Sequence, residues 1–168
     1  MSTRSNIAIK LNEEDINKYA CFQNDKLPKC MQYTSEHDLE NIKNNIYKIF
    51  VSSPYLMIYC HWDGYPEGVG AALTNHFKAY EDALNLILGG DISSLYGDNV
   101  QHYLIFRGDE SDVKYSAPRQ YNEEPEVKQE WLYLFKDGKW LCKHYSDTEW
   151  HSLDEYLSSS EMNNRCTD

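Results

Sequence analysis

Side chains capable of chemistry are concentrated in one stretch of the chain, residues 58–70, which has the sequence IYCHWDGYPEGVG. A thiol, an imidazole, two carboxylates and three aromatic rings follow one another there. An apolar run ends in this stretch and is followed by Gly and Pro, which indicates a sharp turn from a strand into a helix. We call residues 58–70 the corner, and its candidate functional side chains are His61, Trp62, Asp63, Tyr65 and Glu67.

Nucleophilic catalysis is the first chemistry that the corner suggests. Cys60 and His61 are sequence neighbours, however, and successive side chains of a strand point to opposite faces of the sheet. They cannot pair as nucleophile and base, so Cys60 would need another base such as His76, His102 or His144. We favour a buried structural thiol and assign no catalytic residue.

Binding of a divalent cation is the second chemistry. His61 and Asp63 are two residues apart and would project to the same side of an extended strand. Glu67 follows in the turn and His76 in the helix beyond it, and imidazole and carboxylate are ligand types for such cations. The spacing matches no established metal motif, and a His–Asp pair serves equally well as a hydrogen-bonded brace. We therefore assign no metal or other cofactor, and retain His61, Asp63 and His76 only as metal candidates.

The glycines of the corner do not predict a phosphate site. Gly64, Gly68 and Gly70 precede a helix amino terminus, whose N–H groups favour anions. The stretch contains neither GxxxxGK[ST] nor GxGxxG and has no Lys or Arg, while Asp63 and Glu67 would repel phosphate. Turn formation is the simpler role for these glycines.

Composition restricts the class of protein. The 168 residues suit one domain, and 41% hydrophobic and 14% aromatic residues indicate a folded chain. A net charge of −11 disfavours direct binding to nucleic acid and suits contact with a basic protein surface. Five cysteines without a CxxC pair, no run of membrane-spanning length and no signal-peptide core predict a cytoplasmic protein with free thiols and no membrane contact.

Hydrophobic periodicity and turn residues predict the order of elements. We expect strands at 5–11, 55–62, 102–107, 130–135 and 140–145, helices at 34–50, 69–87 and from 146 onward, and a short turn at 91–95. The helix at 69–87 has an apolar stripe that includes His76 and ends at a left-handed glycine. The pattern predicts an α+β fold, a mainly antiparallel sheet with helices packed on one face. We expect one domain over residues 1–160 and a flexible tail at 161–168.

Residues 108–128 form a polar, acidic and Pro-containing segment that we expect to be a solvated loop. Its carboxylates are a candidate contact surface for a partner, namely Asp109, Glu110, Asp112, Glu123, Glu124 and Glu126.

Four strings of the sequence resemble a group of small uncharacterised phage and prophage proteins that share the CHWDGY motif. They are SNIAIK at residues 5–10, IYCHWDGY at 58–65, GGDISSL at 89–95, and DGKW at 137–140, which follows a Tyr-containing strand. Relative to that group, residues 13–53 are an insertion. The resemblance implies expression in the cytoplasm of a bacterial host, and it assigns no activity.

Small acidic phage proteins often act on host enzymes or defence systems by binding. The leading hypothesis is therefore an accessory protein that binds and modulates a host protein. The target would be a nucleic-acid-handling enzyme or a defence protein, which the accessory protein would act on in the manner of an anti-CRISPR or anti-restriction protein. One alternative is a small metal-dependent hydrolase that uses His61 and Asp63 with Glu67 or His76. Another is a small-ligand-binding protein with its site at the corner.

Overall fold

The computed structural model describes residues 3–12, 54–103, 118–121 and 123–165. The expectations for the helix at 34–50, for the insertion at 13–53 and for the acidic residues Asp109, Glu110 and Asp112 lie outside the described residues.

Eight strands and three α-helices are formed by the described residues. The strands are β1 (Ser5–Lys10), β2 (Tyr55–Cys60), β3 (Ile92–Tyr96), β4 (Asn99–His102), β5 (Arg119–Tyr121), β6 (Trp131–Lys136), β7 (Lys139–His144) and β8 (His151–Ser152). The helices are α1 (Ala71–His76), α2 (Tyr80–Leu88) and α3 (Leu153–Arg165), and a π-helical turn at Pro66–Gly70 leads into α1.

All eight strands belong to one sheet in the order β4-β3-β2-β1-β6-β7-β8, with β5 paired to β2. β1 is central, antiparallel to β2 and parallel to β6. The pairing of β2 with β3 is also parallel, and the remaining pairs are antiparallel. The prediction of an α+β fold with a mainly antiparallel sheet is confirmed.

The helices pack on one face of this sheet. β1, β2 and β6 contribute alternate buried residues to that face, among them Ile7, Ile9, Ile58, Tyr133 and Phe135. The buried helical residues join the same cluster, namely Val69, Ala72, Leu73, Ala83, Leu84, Leu86, Ile87, Leu88 and Leu153. This face is the main hydrophobic core, and its burial is the largest favourable contribution to folding.

The opposite face of the sheet is also buried. Ala8, Met57, Leu132 and Leu134 form a second cluster there, against which Tyr121, Val127 and Trp150 pack. The expectation of a solvated loop at 108–128 is therefore wrong for Arg119–Tyr121, which forms β5, and for Val127, which packs on the sheet. The described residues 123–128 are otherwise a loop in which Glu123, Glu124 and Glu126 are exposed, as expected. Residues 104–117 lie outside the described part of the chain.

One helix over 69–87 was expected, and the structure divides it. α1 ends at His76, and Phe77 has φ −125° and ψ 47°, which no α-helix accommodates. The Phe77 carbonyl instead accepts a 2.8 Å hydrogen bond from the indole Nε1 of Trp140. The break turns His76 out to solvent instead of into the apolar stripe. Gly90, with φ 84°, supplies the left-handed residue expected after α2.

Two further elements depart from the expected boundaries, and the terminal hairpin does not. Residues 92–96 form β3, where a short turn was predicted, because the pairing with β2 and β4 imposes an extended backbone. α3 starts at Leu153 instead of near residue 146, since β8 precedes it, and it continues through residue 165. The terminal hairpin is confirmed, with Asp137 at φ 53° and Gly138 at φ 77° in its turn.

Candidate functional site

Hydrogen bonds anchor the corner to β3, to β6 and to the residues just before β1. The N–H groups of His61 and Trp62 donate to the carbonyls of Ile92 and Ser93, over 3.2 and 2.9 Å. Gly64 donates its N–H to the carbonyl of Thr3, just before β1, over 2.9 Å. The buried Tyr133 hydroxyl on β6 donates to the Gly64 carbonyl over 2.8 Å. The corner is therefore held to the sheet both on the β3 side of β2 and on the side of β1 and β6.

Asp63 has a left-handed backbone, with φ 53°. Its carbonyl accepts the N–H of Val69 over 3.0 Å, which closes the turn into the π-helical segment. A Cβ on Gly68 would lie 2.4 Å from that same carbonyl oxygen, so only glycine fits there. The Asp63 carboxylate accepts a short hydrogen bond from the hydroxyl of Tyr96 on β3. An αL conformation in a residue other than glycine costs roughly 1 kcal/mol, and these contacts hold it in place.

Three aromatic rings are exposed around Asp63. Trp62 is 47% exposed, Tyr65 40% and Tyr96 58%. Among the described residues the other exposed large hydrophobic side chain is Tyr145, at 67%. The Trp62 ring meets His61 edge-on, with centroids 4.7 Å apart. We call Trp62, Asp63, Tyr65 and Tyr96 the aromatic surface of the corner.

His61 and Asp63 have different partners. The Nδ1 atom of His61 lies 2.8 Å from the Tyr59 hydroxyl, whereas the Asp63 carboxylate accepts from Tyr96. The expectation that both side chains project to one side is not met, because β2 ends at Cys60 and the left-handed Asp63 breaks the alternation. Burial raises the pKa of the Tyr59 phenol, so that hydroxyl remains protonated at neutral pH.

The metal candidates are dispersed. His76 faces the turn after β3, where a Cβ on Gly97 would lie 3.6 Å from its Nε2. Glu67 lies in the π-helical turn, on the side of Tyr156, whose phenol pKa is raised by burial and next by the Glu67 carboxylate. In the part of the chain that the structure describes, no three His, Cys, Asp or Glu side chains are grouped so as to hold a metal ion.

Cys60 is fully buried in the main core. Burial raises its pKa to about 12, and its thiol donates to the Trp62 carbonyl over 3.4 Å. A thiol in this environment is protonated at neutral pH and a poor nucleophile, which fits the structural role expected for it.

The described acidic residues of the segment 108–128, which are Glu123, Glu124 and Glu126, lie apart from the corner. Glu124 accepts hydrogen bonds from Lys136 over 3.3 Å and from the Trp150 indole over 2.7 Å, so it fastens its segment to the sheet. Lys136 ends β6, and the start of β6 pairs with the start of β1 beside the corner. Six residues of strand span about 17 Å, so Glu124 and the corner lie at opposite ends of the sheet. Glu123 and Glu126 are exposed.

Sequence reasoning missed a second cluster of rings near the corner. Trp131 contacts His144 with centroids 4.8 Å apart and Tyr156 at 5.5 Å, and His144 contacts Tyr145 at 4.2 Å. Counting outward from the hairpin turn places Trp131 opposite His144, so the register of the hairpin was the one sequence feature that indicated their contact. No feature of the sequence indicated that Tyr96 lies at the corner, because β3 was not predicted.

The fold and site together define an α+β protein built on one mixed sheet, with a rigid corner that exposes aromatic rings. Comparisons with models of known protein families, with curated proteins and with solved structures returned no match. No helix among the described residues is both long and apolar enough to cross a membrane.

Proposed function

We propose that this protein is a phage-type accessory protein that acts in the host cytoplasm by binding and modulating another protein. The observation that supports this most directly is the aromatic surface of the corner, three exposed rings around the carboxylate of Asp63. The resemblance of the CHWDGY string to the group of phage and prophage proteins supports the phage-type assignment. The same string forms the anchored part of the corner.

Exposed Trp and Tyr side chains are the residues that most often dominate protein–protein binding. The corner holds its rings on a backbone fixed by hydrogen bonds to β3, β6 and the residue before β1. A rigid surface loses little conformational entropy on association, so more of the contact energy remains as affinity.

The charge of the surface favours a basic partner. Asp63 places a carboxylate among the rings, and the chain has a net charge of −11. Lys and Arg side chains bind both to carboxylates and over the faces of Trp and Tyr. The basic groove of a nucleic-acid-handling or defence enzyme has this chemistry. Glu123 and Glu126, at the other end of the sheet, would add to long-range attraction without touching the same partner surface.

A capture experiment with matched variants tests the proposal. Tagged wild-type protein is incubated with bacterial lysate, the captured protein is identified by mass spectrometry, and its affinity is measured with both proteins purified. Trp62→Ser and Tyr96→Ser are expected to weaken binding by about tenfold or more, as interface anchors do.

Tyr145→Ser is the matched control, because Tyr145 is the most exposed Phe, Tyr or Trp side chain in the described part of the chain and lies outside the corner. It is expected to bind like the wild type. Equal affinity of the wild type and Trp62→Ser, or the absence of any saturable partner, would overturn the proposal. The metal-dependent hydrolase has no supporting cluster among the described residues, and we do not propose it.

A further inference from the structure

A groove of about 430 Å³ runs along the edge of the sheet between β8 and α3. Such a volume is within the range of sites for small molecules. It lies outside the corner, and its described lining residues are Trp150, His151, Ser152, Glu155, Tyr156, Ser159 and Ser160. Glu155, Tyr156, Ser159 and Ser160 lie three to four residues apart on one side of α3, and Ser152 precedes them in β8.

Two ring nitrogens of the lining already have partners. The Trp150 indole donates to Glu124 over 2.7 Å. The Nε2 of His151 lies 3.4 Å from the Asp147 carboxylate. The indole N–H is therefore not available to donate to a molecule in the groove.

Two hydroxyl protons of the lining are engaged in the same way. Ser159 donates to the Glu155 carbonyl over 2.9 Å, and Ser160 to the Leu157 carbonyl over 3.0 Å. What these side chains still offer to a ligand is oxygen lone pairs, and the exposed Glu155 carboxylate adds further acceptor sites. The groove therefore presents acceptors and aromatic faces.

The described lining of the groove carries the Glu155 carboxylate and contains no Lys or Arg. The pKa of the Tyr156 phenol is raised by burial and by nearby acidic groups, among them the carboxylates of Glu67 and Asp147. The ammonium group of Lys143 lies 5.8 Å from the centroid of the Trp150 ring, so this indole already has a cation in contact distance of its π face.

From these contacts we infer that the groove binds a small organic cation with primary ammonium groups, of the aliphatic diamine or polyamine class. The ammonium N–H groups satisfy the Glu155 carboxylate and the hydroxyl oxygens of Ser159 and Ser160, and the methylene chain lies against Trp150 and Tyr156. The Glu155 carboxylate disfavours an anion at this place. This inference does not depend on the proposed function of the corner.

Calorimetry with putrescine tests the ligand class. The comparison ligand is the permethylated diquaternary analogue of putrescine, which keeps the charge and the chain and has no N–H donor. Putrescine is expected to bind saturably with one site per chain, and the analogue about tenfold more weakly, the typical effect of losing a charge-assisted hydrogen bond. Equal binding of the two ligands, or no saturable binding of putrescine, would overturn the inference.

Two matched variants test the place of binding. Glu155→Gln removes the lining carboxylate, and Asp154→Asn makes the same change in charge on the neighbouring exposed residue, which does not line the groove. Glu155→Gln is expected to weaken putrescine binding about tenfold while Asp154→Asn leaves it nearly unchanged. Equal losses in the two variants would mean unspecific attraction to an acidic protein and would reject the site. Ser159→Ala provides an independent variant if Glu155→Gln unfolds, with circular dichroism to check the fold of each.

Discussion

The Asp91 carboxylate and the Arg119 guanidinium form a bidentate ion pair, with two hydrogen bonds of 3.0 Å. The same carboxylate accepts the Tyr59 N–H over 2.8 Å. β5 pairs with the first half of β2 and β3 with its last residue, so this ion pair occupies the interval between two strands along one edge of β2. The side chains of Asp91 and Arg119 thus supply hydrogen bonds along the part of β2 where neither β5 nor β3 pairs with it.

Removal of either partner of this ion pair should destabilise the sheet edge. Asp91→Ala leaves the Tyr59 N–H without its acceptor, whereas the Arg119 guanidinium is 44% exposed and can be solvated. Arg119→Ala leaves the buried Asp91 carboxylate without its counter-charge. We expect a loss of about 2 kcal/mol for each variant in urea unfolding. The double variant should lose less than the sum of the two, and strict additivity would mean that the pair is not coupled.

Stability should fall below about pH 6.5 because of His102. Burial lowers the pKa of this imidazole from its ordinary value of 6.5, and its Nδ1 faces the Gly90 carbonyl at 3.2 Å. As the pH falls through 6.5, the unfolded chain takes up a proton that the folded protein rejects, so unfolding is favoured by at most about 1.4 kcal/mol per pH unit.

The matched comparison for this prediction is His102→Asn, whose amide can still donate to Gly90. Its free energy of unfolding should change less between pH 7.5 and 5.5 than that of the wild type. Asp91 contributes with the opposite sign, because burial raises its pKa, but it does so in both proteins and cancels in the difference. The exposed His76→Asn variant should follow the wild-type curve, and a wild-type curve in His102→Asn would contradict the assignment.

The thiols of Cys60 and Cys142 should resist alkylation in the native protein. Burial raises the pKa of each to about 12, so neither holds an appreciable fraction of thiolate at neutral pH. Treatment with iodoacetamide followed by peptide mass spectrometry should find both unmodified, and both modified after denaturation in urea. Rapid native labelling of Cys60 would reopen the possibility that it is a nucleophile.

Gly64→Ala should be strongly destabilising. The added methyl group would lie 2.8 Å from the Arg4 carbonyl carbon and the Ser5 nitrogen, which are backbone atoms at the start of the central strand. We expect a loss of about 3 kcal/mol in urea unfolding, since the backbone cannot yield without disturbing the sheet. Gly138→Asn is the control, because nothing lies within 4 Å of its Cβ position and Asn tolerates φ 77°. That control should lose less than about 1 kcal/mol, and a similar loss in both variants would contradict the close approach at Gly64.

Substitutions of Asp63 should separate backbone strain from side-chain contact. Asp63→Gly relieves the left-handed conformation and loses the hydrogen bond from Tyr96, so the two effects should nearly cancel, within about 1 kcal/mol. Asp63→Val loses the same hydrogen bond and increases the strain, because a β-branched residue adopts positive φ poorly. Its free energy of unfolding should be about 1–2 kcal/mol below that of Asp63→Gly. Equal stability of the two variants would show that φ at residue 63 is not constrained.

Elements specified by local chemistry were predicted well from the sequence. The terminal hairpin follows from Asp137 and Gly138, which adopt the positive φ angles that its turn requires. The strands β1 and β2 follow from apolar runs bounded by polar or turn residues, and each lies within a residue or two of its expected limits. The buried, unreactive environment of Cys60 also agrees with its expected role.

Elements that depend on distant partners were not predictable in this way. Ser93 and Ser94 give β3 little intrinsic strand preference, and its pairing with β2 and β4 supplies the extended conformation instead. The break after α1 depends on the Trp140 indole, which is remote in sequence from Phe77. At the corner, the alternation rule separated Cys60 from His61 correctly, but it does not apply to Asp63 once that residue is left-handed.

The central place of β1 has a consequence for the order of assembly during synthesis. Ser5 and its parallel partner Trp131 are separated by 126 positions in the sequence, so β1 is synthesised well before β6. The helices can form sooner, but the main core cannot close until β6 and β7 have been translated. Pairing between segments so distant in sequence is slow, because a long loop must close before any contact is gained. Refolding should therefore be slow for a domain of this size, and nascent chains that stop before β6 should expose β1 and aggregate readily.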